Sequence, residues 1–210
     1  MNYERENTVT FTNQFIKDIA QHEMHVIRDD GVNRHLRFKR PNTMTMHFDL
    51  LTWPGHLCYT GDMGTYVFRR LHDMFDFFRP DEGLELYQID MRYWAEKALA
   101  IDKGDGLSKW SKDKFRAEVR DYFDQHADEE WPAERKVDLW TEIEGDVCRA
   151  AGYSEHHAWV ALERFEHDGF RFCDWESDCR EWTFYFMWCC HALRWAIGTY
   201  DKRRTAEGYV

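Results

Sequence analysis

The first third of the chain alternates apolar and polar residues with the period of two that is typical of β-strands. One apolar stripe holds Met24 and Val26, and a second holds Leu36 and Phe38. A three-residue loop over 30–32 pairs Val26 with Leu36 and Met24 with Phe38, which keeps the apolar residues on one side of the sheet. A loop one residue shorter sets apolar positions against polar ones, so we predict the three-residue loop.

The alternation continues to about residue 69 and predicts further antiparallel strands. The next stripe consists of Met44, Met46, Phe48 and Leu50. The segment Trp53–His56 fits a type II turn in which Gly55 supplies the positive φ of the second central residue. Two later segments, Leu57–Tyr59 and Thr65–Phe68, complete the predicted sheet, and a predicted helix over Phe11–Gln21 precedes it.

Beyond residue 70 the apolar period changes to 3.6, which is typical of α-helices. The predicted helices are Leu71–Phe78, Asp90–Ile101, two that follow the N-caps Ser111 and Ser154, one that begins at Pro132, and Thr183–Tyr200. The last helix is apolar on nearly all sides, and a helix of that kind belongs in the centre of a fold.

Strands first and helices afterwards predict the α+β fold class. We expect an N-terminal antiparallel sheet, built as hairpins or a meander, packed on a C-terminal helical body with a central buried helix. The length of 210 residues suits a single domain over 1–210, mainly sheet over 1–70 and mainly helical over 71–210.

The charge of the chain is concentrated in its C-terminal two thirds. Residues 1–70 hold 9 Lys/Arg and 8 Asp/Glu, whereas residues 71–210 hold 19 and 31, so the second segment carries an excess of 12 negative charges. Nucleic-acid binding depends largely on neutralising phosphates with basic side chains. The charge therefore disfavours direct binding to nucleic acid.

Cysteine usage and hydropathy indicate the compartment. No basic-then-apolar export pattern occupies the first thirty residues, and the longest apolar run, Phe184–Cys190, is far short of the ~20 residues that a membrane span needs. The vicinal Cys189 and Cys190 lie within that helical run, which favours reduced thiols over a disulfide framework. We therefore expect a soluble protein of the cytoplasm with no membrane partner.

The cysteines and one histidine near the C-terminus provide the ligand types of a zinc site, namely Cys173, Cys179, Cys189, Cys190 and His191. No Cys-x-x-Cys occurs, and adjacent helical residues point about 100° apart, so we expect buried thiols and no metal. Sequence motifs of nucleophilic catalysis or dinucleotide binding are also absent, so we assign no cofactor and no catalytic residue, and an enzyme is the least favoured class.

Two surfaces are candidates for binding. Arg37 and Lys39 share one face of a predicted strand, and with the nearby Trp53 they form a candidate site for a nucleotide-like signalling ligand. The second candidate is an acidic segment that we predict binds a basic partner: Asp121, Asp124, Asp128, Glu129, Glu130 and Glu134. The alternative for each set is an ordinary solvent-exposed face that binds nothing.

Three segments of the chain carry a resemblance: Phe11–Phe38, Phe48–Arg79 and Phe184–Asp201. They resemble a family of accessory proteins of prophages and tailed phages of Gram-negative bacteria, over about a third of the chain. The resemblance implies a protein that counteracts host antiviral defence. Together with the acidic segment it favours an inhibitor, of the anti-CRISPR kind, that binds a host defence complex in the host cytoplasm through an acidic, aromatic-rich surface.

Overall fold

The structure, a computed structural model, describes residues 2–80, 83–104, 106–128 and 130–208. These residues form two compact units. Unit 1 comprises the described parts of Met1–Leu107 and Trp182–Val210, and unit 2 comprises those of Ser108–Glu181. Unit 2 is thus inserted in the sequence of unit 1. The sequence predicts one domain over 1–210. Whether the two units fold together as that single domain stays a prediction.

Unit 1 contains a six-stranded antiparallel sheet in which each strand pairs with the next along the chain. Its strands are β1 (Glu23–Asp30), β2 (Asn33–Lys39), β3 (Phe48–Trp53), β4 (His56–Gly61), β5 (Gly64–Arg69) and β6 (Ala98–Ala100). Helices account for most of the remaining described residues. They are α1 (Asn2–Ile19), α2 (Met74–Phe78), α3 (Met91–Glu96), α4 (Lys112–His126), α5 (Ala133–Ile143), α6 (Glu155–Arg164) and α7 (Phe184–Ala206). The predicted α+β class and meander are confirmed.

The first hairpin has the predicted pairing but not the predicted loop. Both expected pairs form, among them Val26 with Leu36. The three-residue loop is wrong because Asp30 already pairs with Asn33, which leaves a two-residue turn. A β-bulge at Ile27 accommodates the extra residue, so the bulge rather than the turn keeps the apolar faces together.

The third strand starts later than its apolar stripe predicts. β3 begins at Phe48, and Met44 and Met46 lie in the preceding loop. Met46 has a left-handed backbone (φ 59°), and its N–H donates to the carboxylate of Asp62 at 2.8 Å. The backbone N–H of Met46 therefore bonds to a side chain and not to a neighbouring strand, and residues 44–46 form no strand.

A short strand replaces the second half of one predicted helix. The prediction of a helix over Asp90–Ile101 is correct only for α3, and the chain then enters β6. β6 pairs with β5, Ala98 lying opposite Phe68 and Ala100 opposite Val67. The partner strand, which is distant in sequence, overrides the local helical pattern.

The last helix lies at the centre of unit 1, as predicted. α7 is buried on several sides, and aromatic side chains of the sheet pack against it. Ring centroids lie 5.6 Å apart for Phe48 and Trp188, and 5.7 Å apart for Tyr66 and Phe186. α1, α2 and α3 contribute further buried residues to the same core, which include Phe15, Phe75, Phe78 and Trp94.

Unit 2 has a core of its own, formed mainly by helices. α4, α5 and α6 bury an apolar cluster that includes Phe115, Val119, Ile143, Val147 and Leu162. Ser111 and Ser154 cap α4 and α6 as predicted, since each hydroxyl accepts a backbone N–H of the first turn. A π-helical turn, Glu144–Cys148, extends α5. The unit also contains β7 (Ser108–Trp110), β8 (Glu166–His167), β9 (Phe170–Arg171) and the first two residues of β10 (Arg180–Trp182).

Two neighbouring leucines of β3 test the orientation of the sheet. Leu50 is fully buried against the α7 side, whereas Leu51 points to the opposite face and is half-buried. Leu50→Ala should lower the free energy of unfolding by about 2–5 kcal/mol, because it leaves a cavity in the core. Leu51→Ala is the matched control and should cost clearly less. Equal losses in chemical denaturation would contradict the assigned face.

Candidate functional site

The face of the sheet opposite α7 carries a charged cluster centred on Asp49. Arg37 donates from Nε and Nη2 to the two carboxylate oxygens, both at 2.8 Å, and His35 Nε2 lies 2.8 Å from Oδ2. Burial raises the pKa of Asp49, but the hydrogen bonds from Arg37 and His35 outweigh it and leave the pKa below its usual value. The guanidinium of Arg37 is therefore already engaged by a carboxylate.

The other two residues predicted to bind a ligand lie apart on this face. Lys39, at the last position of β2, has no side-chain partner among the described residues. Trp53 lies at the far end of the face and stacks on His56, with ring centroids 5.0 Å apart. Six residues of strand separate the two ends, which corresponds to about 20 Å. The structure brings Arg37 close to Lys39 but does not bring Trp53 to them.

A second cluster, on the core side of the first hairpin, was not predicted. Arg34 donates to the carboxylate of Asp73 at 2.9 and 2.7 Å, and its Nε lies 3.4 Å from the hydroxyl of Tyr200. That hydroxyl donates to Asp29 at 2.9 Å. Burial lowers the pKa of Arg34, but its bonds to Asp73 and Tyr200 outweigh that effect and raise it. The cluster ties the hairpin to α2 and α7, which is a structural role. The period of two that places Arg34 on the same face as Leu36 could have indicated it.

The predicted acidic surface lies in unit 2, over the second half of α4, the following loop and the first turn of α5. Its described members are all exposed: Asp121, Asp124, Asp128, Glu130 and Glu134. Glu129, the sixth predicted residue, lies outside the described residues. We call the described set the α4–α5 acidic surface.

Part of this surface is neutralised locally and part is free. Asp124 pairs with Arg120 at 2.9 Å, one turn earlier on α4. Asp128 accepts the backbone N–H of Glu130 at 2.9 Å and so holds the loop. Within the part of the chain that the structure describes, Asp121, Glu130 and Glu134 have no side-chain partner. Three carboxylates of this surface are therefore exposed and not paired with any described side chain.

The charge of the whole unit adds to that of its surface. Ser108–Glu181 contains 11 Lys/Arg and 20 Asp/Glu, a net charge of −9 out of −11 for the chain. The remainder of the chain is close to neutral. The negative electrostatic field of the chain therefore comes mainly from unit 2.

The thiols and imidazole that match zinc ligand types are held in other ways. Burial raises the pKa values of Cys189 and Cys190 well above their usual value, which disfavours the thiolate that binds zinc. Nδ1 of His191 donates to the carbonyl of Met187, and Nε2 lies 2.8 Å from the hydroxyl of Thr12. Among the described residues, no group of three or more His, Cys, Asp or Glu side chains is placed to hold a metal ion.

Comparison of the chain with protein-family models, with curated proteins and with solved structures finds no match. The resemblance to phage accessory proteins therefore stays a prediction. No helix in the described part of the chain is long and apolar enough to cross a membrane.

His191 makes the stability of the protein depend on pH. Burial lowers its pKa from 6.5 to about 4, so the native state keeps the ring neutral. Because the unfolded chain takes up a proton near pH 6.5, the stability gained from neutral His191 is full above that pH. It should fall by roughly 3 kcal/mol as the pH drops toward 4.

The pKa of His191 can be read directly from an NMR titration of its ring protons in the folded wild-type protein. We expect a value well below 6.5, and denaturation at several pH values should show stability rising with pH over the same window. A titration of this ring near pH 6.5 would show that it is not buried as described.

Proposed function

We propose that this protein acts by binding another protein, and that its α4–α5 acidic surface docks on a basic face of that partner. Following the resemblance of the N- and C-terminal segments to phage accessory proteins, we propose that the partner is a host antiviral defence complex. Binding would then inhibit that complex in the host cytoplasm. A complex that holds nucleic acid neutralises the phosphates with Lys and Arg side chains and therefore has basic faces.

The observation that carries the proposal is the set of exposed carboxylates that have no side-chain partner among the described residues. Arg120 offsets only Asp124 of this surface, and Arg135 is engaged with Asp168 at 2.5 Å. Asp121, Glu130 and Glu134 therefore keep their charge exposed to solvent.

The net charge of unit 2 determines how such a surface works. Exposed charges contribute little energy per pair, but together they raise the rate at which an oppositely charged partner associates. The contribution falls with ionic strength, because the Debye length shortens from ~10 Å at 0.1 M salt to ~3 Å at 1 M. Salt dependence is therefore the signature of this mode of binding.

Reversing two charges on the α4–α5 acidic surface tests the proposal. Asp121→Lys with Glu130→Lys is preferred to a change of Asp128, whose side chain holds the loop. The tagged protein is used to capture partners from a lysate of defended host cells at low and high salt, and then to restore plaque formation on those cells. Wild type should retain a partner at low salt and lose it at high salt. The variant should associate at least about tenfold more slowly and restore fewer plaques.

The matched control reverses two charges elsewhere in the same unit. Glu163 and Glu176 are exposed and have no side-chain partner among the described residues, so Glu163→Lys with Glu176→Lys changes the net charge equally. The control should slow association clearly less than the surface variant and should restore plaques nearly as well as wild type, because its changes lie outside the contact surface. If both double variants lose activity equally, overall charge rather than this surface is responsible. If Arg37→Ala with Lys39→Ala alone abolishes activity, the proposed surface is wrong and the face around Asp49 is the binding site.

A further inference from the structure

Unit 2 contains a cleft that the acidic surface does not include. Its volume is about 410 Å³, which lies within the range of small-molecule sites. The π-helical turn and the residues after it form one wall, and the end of α6 with β8 forms the other. π-Helical turns within α-helices are frequent at functional sites, because the extra residue shifts the side chains that follow it.

The arginines of unit 2 divide into two groups. Five of them pair with a carboxylate: Arg116, Arg120, Arg135, Arg171 and Arg180. The other two, Arg149 and Arg164, have no carboxylate partner among the described residues, and both line this cleft. In a unit with a net charge of −9, unpaired guanidinium groups in one concavity indicate a site for an anion.

Arg149 follows directly after the π-helical turn, and Arg164 is the last residue of α6. Cations near a helix C-terminus are also stabilised by the helix dipole, which gives each arginine a purely structural explanation. That explanation accounts for each residue separately but not for their meeting in one cleft beside the imidazole of His167.

The other side chains that line the cleft limit which kind of anion fits it. Asp146 and Glu166 also line the cleft, and their carboxylates repel a bare anion but accept hydrogen bonds from hydroxyl or amino groups. Tyr153 lines it as well and is 75% exposed, so its ring offers a flat surface for stacking. A ligand that matches the arginines, the carboxylates and the tyrosine ring has a phosphate, several hydrogen-bond donors and a planar ring.

We propose that this cleft binds a mononucleotide. Arg149 and Arg164 hold the phosphate, Asp146 accepts hydrogen bonds from hydroxyl or amino groups of the ligand, and Tyr153 stacks on the base. The site is independent of the α4–α5 acidic surface, so either can fail without the other.

Calorimetric titration of the full-length protein with AMP at low salt tests the site, with three fragments of the ligand as comparisons. Adenosine lacks the phosphate, ribose 5-phosphate lacks the base, and inorganic phosphate lacks both the base and the sugar. AMP should bind at millimolar concentrations or below, and each fragment should bind more weakly. Equal binding of inorganic phosphate and AMP would reduce the cleft to a plain anion site and overturn the proposal. If adenosine bound as tightly as AMP, Arg149 and Arg164 would have no role in binding.

Single substitutions assign the roles. Arg149→Gln and Arg164→Gln should each weaken AMP binding by about tenfold or more, because each removes a charge-assisted hydrogen bond. Tyr153→Ser should weaken AMP but leave ribose 5-phosphate unchanged. The control, Lys112→Gln, removes one positive charge from an exposed position of unit 2 outside the cleft and should bind like wild type.

The outcome that contradicts the site is equally direct. If wild type shows no heat with millimolar AMP, the cleft does not bind mononucleotides. If Arg149→Gln and Arg164→Gln lower the melting temperature but leave AMP binding unchanged, the two arginines only stabilise the C-terminal ends of their helices.

Discussion

The need to cover α7 governs the architecture of unit 1. A helix that is apolar on nearly all sides cannot lie against one surface, because any side left open would expose aromatic and aliphatic residues to water. The sheet covers one side through Phe48 and Tyr66, and α1, α2 and α3 contribute to the rest of the core. Even the polar residues of α7 follow this constraint, since buried Arg194 donates to the carbonyl of Gln88 at 3.0 Å.

The two units differ in the size of their cores and in their net charge. Unit 1 buries the large aromatic core and is close to neutral, whereas unit 2 has a smaller core and most of the negative charge. Uncompensated charge of one sign destabilises a compact state through self-repulsion, and here it is concentrated in unit 2 rather than in unit 1 with its large core. Both proposed sites, the α4–α5 acidic surface and the cleft between Arg149 and Arg164, lie in unit 2.

Much of the fold could be predicted because it rests on local patterns. The period-two stripes located β1, β2, β4 and β5, and Ser111 and Ser154 located the starts of two helices. The failures have long-range causes. The carboxylate of Asp62 holds the loop before β3, and β6 forms only because β5 offers it a partner.

The candidate sites were less predictable than the fold, because they depend on which charges are paired. The sequence shows Arg37 as one of a basic stripe, but only the structure shows its two bonds to Asp49. The same holds for Arg149 and Arg164, which no motif distinguishes from the paired arginines of unit 2. Exposure of the acidic segment could be predicted, since its residues surround a helix junction.

Hydrogen–deuterium exchange on the full-length protein, alone and with its captured partner, tests the central claim most directly. The claim is that unit 2 makes the contact and unit 1 provides the stable core. The account predicts new protection over 121–134 in the complex, with α7 the slowest-exchanging segment in both states. Protection confined to β2 and β3, with none over 121–134, would contradict it.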